Sequence, residues 1–459
     1  MIKKENLKEY IFAILTTAAF LISLATKIDI YFSLFFIILF FILLFFLYLF
    51  LKTKKSIIPD FSEIIFIKNY IIAIIALIFL YMININKFFI YPHSCKFLNQ
   101  YNNCEYYLFY FFLVFIFFLF FFLQVKVPDI RKIFIKFGLI IFAFSLINLI
   151  IFYLKYFNVI NFSYFITFEG DYNFYWQFIP FAIQGYRNFE VLPYILAFIS
   201  AISLFKSLNR KYEIYIYLFF VSSILTFSKN TWIVTIAITL ITLIGSKKNR
   251  KIIRNCFIFT TILILLISIF QKILIKEFHT NIIPYTLYKI LPHSIVKKND
   301  LFNNNYYNNF ENVFGKSDFK SSEDHLNYLF NSTPSRLNLY KSTIKKIFEK
   351  PIIGHGLNSY IETENIFKNK IITDNYESHL LTILIEIGFV GFFIYSYIFI
   401  YSFKKIKINK EFYITLIVGI LILSLFNSFQ RNLFIFYLLA FIFSNIISTS
   451  KKNRFNDNS

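Results

Sequence analysis

Residues 375–391 read NYESHLLTILIEIGFVG. Glu377 and His379 stand at the mouth of a long apolar run, and Glu386 lies inside it. The run extends to about residue 402, long enough as a helix to cross ~30 Å of hydrocarbon. Charge is expensive in such a setting, so an intramembrane carboxylate is by default a functional candidate. For Glu386 a hydrogen bond to a neighbouring helix is the bland alternative.

The same pattern recurs along the chain. Of 459 residues 58% are hydrophobic, 67 are Phe, 33 are Tyr and only 16% are charged. A soluble domain carries about 25% charged residues and far fewer aromatics. Apolar stretches predict twelve spans, at roughly 9–26, 28–51, 69–86, 106–124, 137–154, 190–205, 212–228, 231–245, 252–271, 379–402, 412–428 and 433–448. The fold class expected is all-α, a polytopic membrane protein with about twelve transmembrane helices. Three regions follow: helices 1–9 within 1–271, a large outer loop over 272–378, and helices 10–12 with a tail over 379–459.

The net charge of +22 invites a nucleic-acid reading, but its placement argues against one. With the N-terminus inside, the tail and the inner connections hold 26 of the 47 Lys and Arg, and the short outer connections hold 7. The long 272–378 segment holds the remaining 14, and long loops are exempt from the positive-inside rule. Both termini are therefore expected in the cytoplasm, and no nucleic-acid partner is expected. The basic N-terminus before an apolar run resembles a signal peptide. A second span follows almost at once without a small-residue cleavage site, so it reads as the first anchor. Cys95 and Cys104 share an outer loop, where a disulfide and two free thiols fit the spacing equally.

Two outer segments break the rhythm of short loops. Residues 155–189 are rich in aromatics and suit the headgroup level. The first half of 272–378 is Asn-rich, either a flexible lid or low-complexity drift. Its second half, STPSRLNLYKSTIKKIFEKPIIGHG, has Thr333 and Pro334 as a helix start. Leu337, Tyr340, Ile344, Ile347 and Phe348 follow at spacings of three and four, with Lys341, Lys345, Lys346 and Lys350 on other faces. Pro351 and Gly354 end it. The spacing predicts an amphipathic helix near 334–350, outside the membrane but able to lie on it.

Candidate site residues are few. Arg336 opens the amphipathic helix, where a guanidinium fork and free N–H groups would bind phosphate; a solvated Arg near headgroups is the alternative. Lys229, in the tight turn TFSKNTW, is a phosphate ligand or a snorkelling lysine. Arg187, in GYRNFEVLPY, and Arg431, in FQRN, both break the inside bias. His355, in GHG, has glycines that allow close backbone approach, or is simply part of a helix C-terminal turn. At 100° per residue, Glu377, Gly388 and Gly391 share one face of a helix, while His379 and Glu386 share another. The glycines on that face would let a neighbouring helix pack close. The six histidines lack ligand-like spacing, and no metal or cofactor is expected.

TFSKNTW, SRLNLYKSTIKKIFEKPIIGHG and ESHLLTILIEIGFVG, in that order, resemble the O-antigen ligase and O-antigen polymerase superfamily of bacterial inner-membrane glycosyltransferases. The resemblance covers about 220–400 and implies a glycosyltransferase family C-like fold with its large loop in the periplasm. It implies a glycan on undecaprenyl diphosphate as donor, and another repeat unit or lipid A core as acceptor. Membrane lipid and a chain-length regulator protein are further partners in this picture, and the reaction looks metal-independent. By position, Arg336 and Lys229 would hold the diphosphate, with Arg187 a third candidate; His355 and Arg431 stay substrate-binding candidates on the residue reading alone. Two departures stand out. Lys229 occupies a place where the family has Arg. Aligning Gly388 and Gly391 with the motif glycines puts Glu377 at the ligase histidine position, Ser378 at that of the Asn, and His379 two residues later. A polymerase is the expectation drawn from this, with a ligase and a lipid-linked glycan flippase as alternatives.

Overall fold

The structure is a computed structural model. It describes residues 4–25, isolated positions between 68 and 125, 127–156, 159, 192–207, 210–225, 229–243, 247–274, 337–356, 361–364, 370–373, 378–406, 409–426 and 433–456. The expected spans 28–51, 69–86 and 106–124, both loop cysteines and the aromatic 155–189 segment fall wholly or largely outside these residues.

Helices dominate. They are α1 (Lys4–Ala25), α2 (Ile130–Tyr156), α3 (Leu192–Ser207), α4 (Glu213–Leu225), α5 (Lys229–Leu243), α6 (Lys247–Leu274), α7 (337–349), α8 (His379–Lys405), α9 (Lys410–Phe426) and α10 (Leu433–Asn456). Each of these except α7 covers an expected span to within a few residues. One departure from an all-α chain is a two-stranded sheet of β1 (Ile361–Glu364) and β2 (Lys370–Thr373), between α7 and α8. Among the described residues, one helix is long and apolar enough to cross a membrane, His379–Lys404. Leu192–Lys206, Trp232–Thr242 and Tyr437–Ile446 are shorter apolar helices.

The chain divides into two units, with the boundary inside α2 at Phe137 and Gly138. The first holds α1, the start of α2, most of α7, and α8–α10. Its core is aromatic. Phe20 of α1 meets Phe434 edge-on at 5.2 Å, and Phe122 meets Tyr437 at 5.3 Å. Edge-to-face pairs of this kind add to simple area burial. Thr16 Oγ1 lies 3.0 Å from Tyr437 Oη, which satisfies the phenol inside that core. The buried Glu9 is met by Lys136 at 2.6 Å and Lys132 at 3.2 Å, as a buried charge requires. Arg131 grips Asp129 with two donors, at 2.9 and 2.7 Å, and reaches Asn409 at 3.3 Å. That last bond ties the α8–α9 connection to the start of α2.

The second unit holds the rest of α2 and α3–α6. A Cβ on Gly138 would lie 2.5 Å from that of Ala197, so the two backbones touch through the missing side chain. Tyr194 of α3 lies 2.7 Å from Ser145 Oγ of α2. Tyr217 of α4 donates to Glu213 at 3.2 Å and accepts from Asn255 of α6 at 3.4 Å.

Candidate functional site at a helix break

The run that opens the sequence reading is one apolar stretch but not one straight helix. Ser378 caps its start, extended at φ −145°, and its Oγ accepts from the Leu381 amide at 3.4 Å. The same hydroxyl donates to the Ser424 carbonyl of α9, also at 3.4 Å. Ser and Thr at this position occupy free helix-start donors. At Gly388 the backbone leaves the helix, with φ 64° and ψ −165°. Along an unbroken helix the backbones of His379 and Tyr395 would be ~24 Å apart. Instead His379 Nε2 lies 2.9 Å from Tyr395 Oη, with the rings edge to face at 5.4 Å. The element is therefore two limbs, 379–387 and 389–405, folded back on each other at Gly388.

Such a fold strands backbone groups that must find partners, most of all in an apolar setting. The turn after α7 supplies them. Phe389 N donates to Pro351 O at 2.8 Å and Val390 N to Ile352 O at 3.2 Å. From the other side His355 N donates to Ile385 O at 2.7 Å and Gly356 N to Glu386 O at 3.0 Å. PIIGHG and EIGFVG are thus two halves of one clasp. Gly354 has φ 74°, and a Cβ there would sit 2.5 Å from the Glu386 carbonyl. A Cβ on Gly388 would strike the Ile352 carbonyl. Only glycine fits both sites, by conformation and by space.

The α7 helix seats the clasp. Leu339 and Ile347 pack with Ile385, Leu381 and Leu384 of the first limb, and Thr343, also buried, donates to the Leu339 carbonyl at 2.7 Å. His355 Nε2 lies 2.7 Å from the Lys346 carbonyl near the end of α7, where the carbonyl accepts. Burial, with the charges of Lys346 and Lys350, outweighs that bond and holds the His355 pKa below its ordinary value. Glu349 pairs with Lys346 at 2.8 Å, which lowers its carboxyl pKa.

Three expectations change. Gly388 and Gly391 do not extend one helical face, because the phase breaks at Gly388. The close approach at Gly388 is to the turn after α7 and not to a neighbouring helix. The packed face of α7 is Leu339, Thr343 and Ile347, so of the anticipated stripe only Ile347 packs there, while Leu337, Ile344 and Phe348 stay exposed. The tertiary contact, not the spacing, chose the face.

Of the predicted site residues, His379 is buried against Tyr395 and His355 sits in the clasp. Lys229 is the first residue of α5, where backbone N–H groups favour an anion. Glu377, Arg336, Arg187 and Arg431 lie outside the described residues. Glu386 is buried on the first limb, and seven residues of unbroken helix keep it on the His379 face, as expected. Tyr395 was not a sequence candidate. Nothing in its spacing marks it, since only the reversal at Gly388 brings it to His379. Among the described residues, no group of three or more His, Cys, Asp or Glu could hold a metal ion.

Residues 214–396 match the family O-Antigen ligase. That match covers 183 of the 459 residues and runs from α4 through the clasp to Tyr395. It supports the O-antigen ligase and polymerase superfamily, whose members are membrane proteins. It indicates ligase- or polymerase-type activity in a glycosyltransferase-like enzyme. No curated protein matches the chain.

Proposed function

We propose that the protein polymerises surface polysaccharide, transferring a glycan from undecaprenyl diphosphate to another repeat unit at the periplasmic face. The observation that carries this reading is the clasp inside the matched domain, which joins the α7 end to the limb bearing Ser378 and His379. The acceptor hydroxyl attacks the anomeric carbon, the bond from that carbon to the diphosphate oxygen breaks, and undecaprenyl diphosphate leaves. The hydroxyl proton passes to a positioned base, for which Glu377 and His379 are the candidates. Arg336, Lys229 and Arg187 are the cations assigned to the leaving diphosphate, whose developing charge needs such partners. His355 and Arg431 are the remaining substrate-side candidates. The site faces the periplasm of a multi-pass inner-membrane protein in this reading.

One observation favours a ligase that delivers the glycan to lipid A core. His379 is held at hydrogen-bond distance from Tyr395, as a fixed base would be. A gel of surface glycan from a deletion strain, with rescue by the wild-type chain, separates the two. Single-repeat caps on the lipid core identify a polymerase. Loss of all capping, with lipid-linked polymer accumulating, identifies a ligase. Unchanged glycan in the deletion strain would overturn both.

A further inference from the structure

We propose that α7 is seated in the outer leaflet of the membrane, with Ile344, Phe348 and Ile352 among the acyl chains. About 120° round the helix from its packed side, α7 carries a stripe that is apolar and bare. Phe348 is 68% exposed and Ile352 in the following turn 66%. At 100° per residue Ile344 and Phe348 lie within about 40° of each other, so they form one stripe. The stripe has a continuation that says what covers it. Phe389, Phe393 and Ile400 are exposed on the second limb of α8 and also share one face. That limb, 389–405, is the longer part of the apolar run that the membrane reading places in the bilayer, so in that reading its bare stripe meets lipid. The turn sits directly on its upper end, through the bonds from Phe389 to Pro351 and Val390 to Ile352. The lipid-facing surface thus runs from Ile400 past Phe389 to Ile352 and on to Phe348.

Charge fits the same occupant. Lys341 and Lys345 are exposed beside the stripe and Lys350 at its end. An apolar face flanked by lysines is the pattern of an interfacial helix, with the amines at the level of anionic lipid phosphates. The inference rests on the membrane reading of the chain and adds which face of the loop the lipid holds.

The test is collision accessibility of nitroxide labels on the full chain in nanodiscs of phosphatidylethanolamine and phosphatidylglycerol. Single cysteines replace Ile344, Phe348, Ile352, Glu349 and Ile400, in a background whose natural cysteines are substituted. Labels at 344, 348 and 352 are expected to collide with dissolved oxygen and be shielded from a water-soluble nickel chelate, like the label at 400. The label at 349 should show the reverse. Nickel access at 344, 348 and 352 with shielding at 400 would overturn the lipid-seated helix and leave the membrane reading standing. Nickel access at 400 as well would sink both. Shielding from both reagents at 344 and 348 would mean a protein occupant, and the proposal would fail.

Discussion

Gly138 and Gly388 are both glycines in long apolar helices, and they do opposite work. Gly138 keeps helical geometry, and its missing side chain lets α2 lie against Ala197 and Phe219. Gly388 abandons the helix, and its missing side chain lets a turn from a distant segment enter the break. The first glycine is about distance between continuous helices. The second is about conformation, and it relocates the hydrogen bonds of four backbone groups. A glycine in an apolar run therefore has two physical meanings, and only its partners tell them apart.

The sharpest way to break the comparison is Gly388→Ala. Strain at positive φ and collision with the Ile352 carbonyl together should cost about 3 kcal/mol or more. Polymer on the glycan gel should vanish and the melting temperature of the purified protein should fall. A variant with normal chain length would mean that the break is not needed. Gly354→Ala attacks the other half of the clasp and should cost about 2–3 kcal/mol for the same reasons. Gly138→Ala tests the other meaning. Overpacking against Ala197 costs roughly 1–3 kcal/mol, offset by the better helix propensity of Ala, up to ~1 kcal/mol. A lower melting temperature with retained chain length is the expected result; loss of chain length in well-folded protein would make the two glycines alike.

Tyr395→Phe removes one hydroxyl and should cost about 1 kcal/mol of stability. If His379 is a working base, turnover should drop more than stability predicts, and its pH profile should shift. A turnover unchanged at every pH would leave His379–Tyr395 as packing across the reversal. The smallest effect concerns His355. Its pKa is lowered in the folded state, so the unfolded chain binds the proton more readily. The stability tied to its neutral form is complete above about pH 6.5 and is lost as pH falls below that. Thermal melts of His355→Gln and wild type should differ in acid slope, with the flatter slope in the variant. Equal slopes would remove His355 from the acid response.

Much of the helical layout was legible because it depends on local quantities. Apolar windows placed nine of the expected spans on described helices, from α1 through α10. The apolar run from residue 379 marked the start of α8, and Pro351 with Gly354 marked the end of α7. The candidate site was legible only in part. His379 and His355 were singled out by residue type and by glycine neighbours. Tyr395 was not, because sequence distance along a helix implied separation. The paired strands at 361–364 and 370–373 were also missed; each has four residues, too short for alternation to stand out.

Taken alone, the sequence determined the apolar segments and the residues that end α7, since each follows from the chemistry of a residue and its near neighbours. It also determined that Gly354 and Gly388 were special, though not how. Tertiary structure decided that α8 reverses at Gly388, that PIIGHG fills the gap, and that α7 turns Leu339, Thr343 and Ile347 inward. The reason is physical. A reversal inside an apolar run is stable only when its freed amides and carbonyls are met by a segment thirty residues away, and no local propensity encodes that meeting.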